Sequence, residues 1–340
     1  MALGYALLFS LVVTVYLWVP EKKRPAHVMY HDDIKFLIKD HQIMGCQHMH
    51  TPHELHFRGW AIQAAARYLR PGSKSAIVMG VGAGSVVKEL RASHMQVRAV
   101  EIDEHVSRMA RHEFGVGCSV GDGVDVIEHV RAGSHDLVFM DPYDGKGLDS
   151  TWRFVNVETM RHAKVSFVNE ETGLVIFNMV VAGETEADDD VLHRIAAVMA
   201  AKYSYVRAFR DSPTETREGH QVIFFASDAK IDAEGLADLP ELQGGEHGDE
   251  NWVVRNFHKW QVLECTPEHC EGMSKNVPKA KPGIEYEERL KAKLADVTGH
   301  YIPAEKIYTT STKIELQLAA LAVSALLAYG FKTKPRGKTE

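Results

Sequence analysis

The apolar run Ser75-Ala76-Ile77-Val78-Met79 enters Gly80-Val81-Gly82-Ala83-Gly84 without a break. A buried strand ending in a glycine loop that opens a helix restricts the chain to α/β designs whose ligands sit at the carboxyl ends of the strands. The rhythm then repeats. After a helix to about Ala92, Gln96 to Ile102 is a second predicted strand, closed by Glu101 and Asp103, with a helix from His105 to Phe114. Cys118-Ser119-Val120 is a short strand ending at Gly121-Asp122-Gly123, and Val124 to Arg131 is a helix. Leu137-Val138-Phe139-Met140 stops at Asp141. Leu174-Val175-Ile176-Phe177-Asn178 is a fifth strand, followed by a helix from about Asp188 to Lys202 whose acidic start suits the helix dipole. Tyr203 to Arg210 and Gln221 to Ala226 close the series. Strands alternating with helices predict a doubly wound, mostly parallel sheet covered on both faces.

Around this core the organisation is uneven. Ile34 to Ile38 and Gln42 to Cys46 flank a turn at Lys39-Asp40-His41, which predicts a small β-unit over 28–50. Leu55 to Leu69 reads as a helix stopped by Arg70-Pro71-Gly72. From about Asp228 the chain is rich in Pro, Gly and charge, and 228–313 is expected to be an irregular extension with one helix near Glu285 to Ala295. Leu3 to Val19 carries no charge and is followed by Pro20 and Glu21-Lys22-Lys23-Arg24. At ~1.5 Å per residue such a run nearly crosses a ~30 Å hydrocarbon core. Residues 1–24 are therefore expected to be an N-terminal membrane anchor, in preference to a cleaved signal or a buried helix, and the basic cluster keeps the following domain cytosolic. A second, shorter run, Leu316 to Phe331, predicts a C-terminal apolar helix over 314–331.

Composition removes other classes. Thirty-nine basic against 46 acidic residues give a net charge of −7, which disfavours a non-specific nucleic-acid binder. Four cysteines among 340 residues exclude a disulfide scaffold. Cys265 and Cys270, near His258 and His269, fit zinc spacing poorly and are expected to be free thiols rather than a disulfide. His48, His50, His53 and His56 are expected to act singly, and no metal site is expected.

The chemistry sits at the strand ends. Gly80, Gly82 and Gly84 allow a tight turn and close approach of the backbone to a ligand, and the helix start offers N–H groups to an anion. No Gly-Lys-Ser/Thr follows, so a P-loop is unsupported. Glu101 is placed to accept both hydroxyls of a ribose. Asp122, beside Gly123, is placed to accept from an adenine amino group. Ser85 and Val87 stand where a dinucleotide fingerprint needs other spacing, which favours the adenosylmethionine class.

Those segments, with Val100-Glu101-Ile102-Asp103 and Asp136-Leu137-Val138-Phe139-Met140-Asp141-Pro142-Tyr143-Asp144-Gly145, resemble the spermidine synthase-like group of class I methyltransferase folds. Glu54-Leu55-His56-Phe57-Arg58-Gly59 resembles the linker between that group's small β-unit and its nucleotide-binding core, here 54–227. The resemblance implies a Rossmann-like fold and S-adenosylmethionine, or its decarboxylated form, as co-substrate. Gly80, Gly82, Ala83, Gly84, Glu101, Asp122 and Gly123 would then hold the donor. Asp141 and Asp144 would be catalytic, holding and orienting an amine, with Tyr143 and Asn178 lining the acceptor side. Aminopropyltransferases of the group carry an aspartate in the loop at the position of Ala83; it pairs with the amine of the decarboxylated donor. With Ala83, the carboxylate of intact adenosylmethionine is expected to rest on the N–H groups of Gly82-Ala83-Gly84. The expected function is a membrane-anchored methyltransferase acting on a small-molecule or protein nucleophile, with homodimerisation open. The alternatives are an aminopropyltransferase and a non-catalytic nucleoside-binding scaffold.

Overall fold

The computed structural model describes residues 26–39, 42–51, 55, 57–142, 153–181, 186–211, 220–243 and 249–265. Both terminal apolar runs, Tyr143, Asp144 and the helix expected near Glu285 lie outside them. Among the described residues no helix is long and apolar enough to cross a membrane.

A small antiparallel sheet comes first, formed by β1 (His27–His31), β2 (Ile34–Lys39) and β3 (Gln42–His48) in the order β1-β2-β3. The sequence predicts its last two strands. The sheet is buried on both faces: Phe36, Ile38 and Cys46 join the main core, while Leu37 packs with Ala26, Ala83, Val106 and Phe114. Lys35 donates to the Glu113 carbonyl and stands over the Phe114 ring, and Lys39 pairs with Asp103. The predicted helix Leu55–Leu69 starts later and is divided into α1 (Arg58–Ala64) and α2 (Ala66–Leu69). At the break the Ala65 N–H is shared between the Ala61 and Ile62 carbonyls, so the last turn of α1 tightens.

The main sheet has eight strands: β4 (Ser75–Met79), β5 (Gln96–Glu101), β6 (Ser119–Val120), β7 (Leu137–Met140), β8 (Leu174–Val181), β9 (Tyr205–Arg210), β10 (His220–Ser227) and β11 (Gln261–Cys265). Their order is β11-β9-β10-β8-β7-β4-β5-β6. The pairs β8-β7, β7-β4, β4-β5 and β5-β6 are parallel, whereas β10, β9 and β11 are added antiparallel. Connecting helices are α3 (Ser85–Ala92), α4 (Glu104–Phe114), α5 (Gly123–Glu128), α6 (Val157–Ser166), α7 (Glu186–Ala200) and α8 (Glu250–Asn256). α1, α3 and α8 pack on one face of the sheet, and α5, α6 and α7 on the other. Asp103 caps α4 by accepting from the His105 and Val106 N–H groups at 2.7 and 3.1 Å. Asn156 does the same for α6, accepting from Thr159 at 2.8 Å, a helix that the sequence reading missed.

The expectation of an irregular segment after Asp228 is corrected up to residue 265. β11 extends the sheet along β9. Arg207, 5% exposed, donates to the Glu234 carboxylate, the Ile231 carbonyl and Gln261. Arg67 bridges Glu89 at 2.8 Å and Glu250 at 3.0 Å, tying α2 to α3 and α8. Phe257 meets Phe209 edge-on at 4.8 Å. Apolar partners from across the chain thus outweigh the local abundance of turn-forming residues. Cys265 is disulfide-bonded rather than free, while Cys46 and Cys118 are free and buried.

Candidate functional site

The glycine loop, Glu101, Asp122 and Asp141 gather along one edge of the parallel strands, as the sequence predicts. Gly80 and Gly82 have φ of +88° and +54°. A Cβ on Gly80 would run into the Asp141 carbonyl, and one on Gly82 into the Met44 carbonyl, so these two glycines answer both a left-handed backbone and a close approach.

The N–H groups of the loop are committed within the protein. Val81 and Gly82 donate to Glu101 Oε2 at 2.9 and 3.2 Å, Ala83 donates to the Met44 carbonyl at 3.1 Å, and Gly84 donates to the Val81 carbonyl at 2.7 Å. This corrects the expectation that Gly82, Ala83 and Gly84 present free donors to a carboxylate. Nor does Ala83 face an open cleft. It is 1% exposed, and the backbone of Gly45 lies so close that a Cβ there would meet the Ala83 Cβ at 2.5 Å. The short side chains at 45 and 83 let β3 sit directly on the loop, and Ser85 Oγ adds a bond to the Cys46 carbonyl at 2.9 Å.

Glu101 is 4% exposed, and its Oε1 accepts from the Asp103 N–H at 3.0 Å. Asp122 caps α5, its Oδ1 accepting from the Val124 N–H at 2.9 Å, while Oδ2 pairs with Arg153 at 2.6 Å. Asp141 follows β7. Its Oδ1 accepts from Asn178 Nδ2 at 2.9 Å, and Gln63 Nε2 approaches Oδ2 at 3.4 Å. Burial pushes the Asp141 carboxyl up to about 6; the nearby Glu101 charge raises it further, while Asn178 and Gln63 hold it down. Asn178 is 3% exposed and its Oδ1 is buried without a partner. The buried Oε1 of Gln221 is likewise unpartnered, and it fills the space that a Cβ on Gly59 would need.

Asp141 and Asn178 are therefore brought into direct contact. Gln63, Gln221, Arg153 and the Met44-Gly45 seat escaped the sequence reading. Gln63 carried one signal, a long amide on the otherwise small and apolar stretch Ala61-Ile62-Gln63-Ala64-Ala65. A cavity of about 390 Å³ opens at the opposite ends of the parallel strands, beside Arg70 and Asp136. There Arg70 is spent on the carbonyls of Thr172, Ala229 and Lys230, and Asp136 on Lys74 and Ser75. That edge is tied together structurally.

A mostly parallel α/β sheet with a glycine loop after β4, acids closing β5, β6 and β7, and a small antiparallel sheet in front define a doubly wound, Rossmann-like fold. That fold is shared with solved spermidine synthases. A probable spermidine synthase from Corynebacterium glutamicum superposes with a TM-score of 0.58 at 16% identity, over 76% of this chain and 93% of that one. A spermidine synthase in complex with the transition-state analogue AdoDATO does so with a TM-score of 0.50 at 13% identity, over 74% and 89%. No family profile and no curated protein matches the sequence.

Proposed function

We propose that the protein is a transferase that moves a methyl group from S-adenosylmethionine to an amine or similar nucleophile. One observation carries the reading: Asp141, at the end of β7, has a carboxyl poised near 6 next to an unpartnered amide oxygen of Asn178. An ionised carboxylate and a free carbonyl oxygen together suit a nucleophile with several N–H donors. The carboxylate holds the incoming ammonium and takes its proton. The freed lone pair then forms the new N–CH₃ bond as the sulfonium S–CH₃ bond breaks, leaving the thioether. Positioning supplies most of the acceleration, with proton removal adding about 10²–10⁴-fold. Glu101 and Asp122 are the acceptors in reach of a nucleoside, and Glu101 also steadies the loop. Asp144 and Tyr143 are proposed to complete the acceptor side.

Ala83 favours the intact donor over the decarboxylated one. The decarboxylated donor differs from the intact one in lacking the carboxylate, and Ala83, 1% exposed against the Gly45 backbone, supplies no acid that would favour that form. The shared fold with spermidine synthases supports the second reading, aminopropyl transfer. Binding calorimetry separates the two. Intact S-adenosylmethionine is expected to bind more tightly than its decarboxylated form, and Glu101→Ala to weaken it by about 1.5–3 kcal/mol. Tighter binding of the decarboxylated donor moves the assignment to aminopropyl transfer, and no binding of either leaves the scaffold reading.

We also propose that residues 1–24 anchor the protein to a membrane with the catalytic domain on the cytosolic side. Full-length protein is expected to resist carbonate extraction and, in sealed vesicles, to be digested from the cytosolic side; removal of 1–24 should release it. Extraction by carbonate overturns the anchor. Protection from protease would place the domain in an oxidising lumen, the compartment in which a disulfide at Cys265 persists.

A further inference from the structure

We propose that Arg153 and Asp122 together read the base of the bound nucleoside, and that Arg153 makes the site tolerant of a 6-oxo purine. The inference rests on the proposed nucleoside site and adds to it a residue with a role in specificity. Part of the Asp122 carboxylate's accepting capacity is already used, since Oδ1 accepts from the Val124 N–H at the start of α5. The remaining oxygen, Oδ2, is held by Arg153 Nη2 at 2.6 Å.

The backbone of Arg153 is fixed, since its carbonyl accepts from Asn156 Nδ2 at 2.7 Å. The neighbouring Phe154 ring lies against Gly123, where a Cβ would meet Phe154 Cζ at 2.7 Å and Met79 Cβ at 2.9 Å. Phe154 is 8% exposed. The guanidinium, with its side chain 48% exposed, is thus a solvent-reaching arm on a fixed base at the rim of the Asp122 site.

A 6-amino group donates, so an adenine must share Oδ2 with Arg153 or displace it. A 6-oxo group accepts, so the Asp122 carboxylate alone would repel it, whereas the guanidinium supplies the missing donor. Arg153 therefore opposes the amino base and supports the oxo base. Breaking a half-exposed ion pair costs little, so each effect is several-fold.

The test is calorimetric titration of wild type and Arg153→Met with S-adenosylhomocysteine and with S-inosylhomocysteine, its 6-oxo counterpart. In Arg153→Met the adenosyl compound should bind about threefold more tightly and the inosyl compound about threefold more weakly. The ratio of the two dissociation constants then rises about tenfold over wild type. General damage to the site shifts both constants alike and cancels in the ratio. An unchanged ratio overturns the role of Arg153 and leaves the nucleoside site standing. Failure of wild type to bind either compound overturns the nucleoside site, and this inference with it.

Discussion

Asp141→Asn is expected to slow transfer by about 10²–10⁴-fold while raising the melting temperature at neutral pH. The two effects share one cause. Burial raises the carboxyl from 3.8 to about 6, so the folded state binds its proton more tightly than the unfolded chain does. The resulting destabilisation is absent below pH 3.8, grows as pH rises towards 6, and is complete above it. Two pK units correspond to about 3 kcal/mol at most, and partial exposure of the residue brings the expected gain to about 1–3 kcal/mol. The asparagine keeps an oxygen for Asn178 Nδ2 and removes the charge. Wild-type activity should fall as pH drops through about 6, where the base is protonated, whereas its stability deficit against the variant shrinks as pH falls from 6 towards 3.8. Thermal melts of both proteins from pH 4.5 to 8 check the stability limb without a known acceptor. Parallel curves would show that Asp141 is not a strained carboxylate.

Arg67→Met is expected to cost about 3–5 kcal/mol, a fall in melting temperature on the order of 10 °C. Arg67 lies between Glu89 and Glu250, with side chains exposed by only 12%, 12% and 17%. Burial raises the Glu250 carboxyl, the Glu89 charge raises it further, and Arg67 holds it down. Without the guanidinium, two carboxylates face each other across α3 and α8. Acidification then relieves the repulsion by protonating Glu250, so the deficit should shrink from pH 8 towards pH 5. A variant that melts with wild type would show that α8 is not locked to the core through this triad.

How far the sequence reaches follows from the range of the forces involved. The strands β4, β5 and β7 are legible because each is a short apolar run closed by Gly, Glu or Asp, whereas β8 runs past Asn178, where the sequence reading ends it, to Val181. Those closing residues mark the functional edge for the same reason, since side chains at a strand end point into the cleft. Gln63 was not legible: it sits on α1, distant in sequence from Asp141, and meets it only once α1 packs on the sheet. The segment 249–265 was misread because its partners, Arg67, Phe209 and Arg207, are likewise remote. For Ala83 the resemblance points to a missing acid, but the sequence does not reveal the residue's surroundings. Nothing local to the loop reveals that Met44 and Gly45 lie on it, and that contact turns a vacant position in a cleft into a packed one.

The seat of β3 on the glycine loop also sets where the molecule can be cut. Ala83 N–H and Ser85 Oγ bond to carbonyls of Met44 and Cys46, and Leu37 shares a buried pocket with Ala83. A fragment begun at the linker near 54 would strip those partners from the glycine loop and lay bare apolar surface beside it. A recombinant unit for crystallisation or domain grafting therefore begins at 26 rather than at the linker, with the small sheet retained as part of the glycine-loop half.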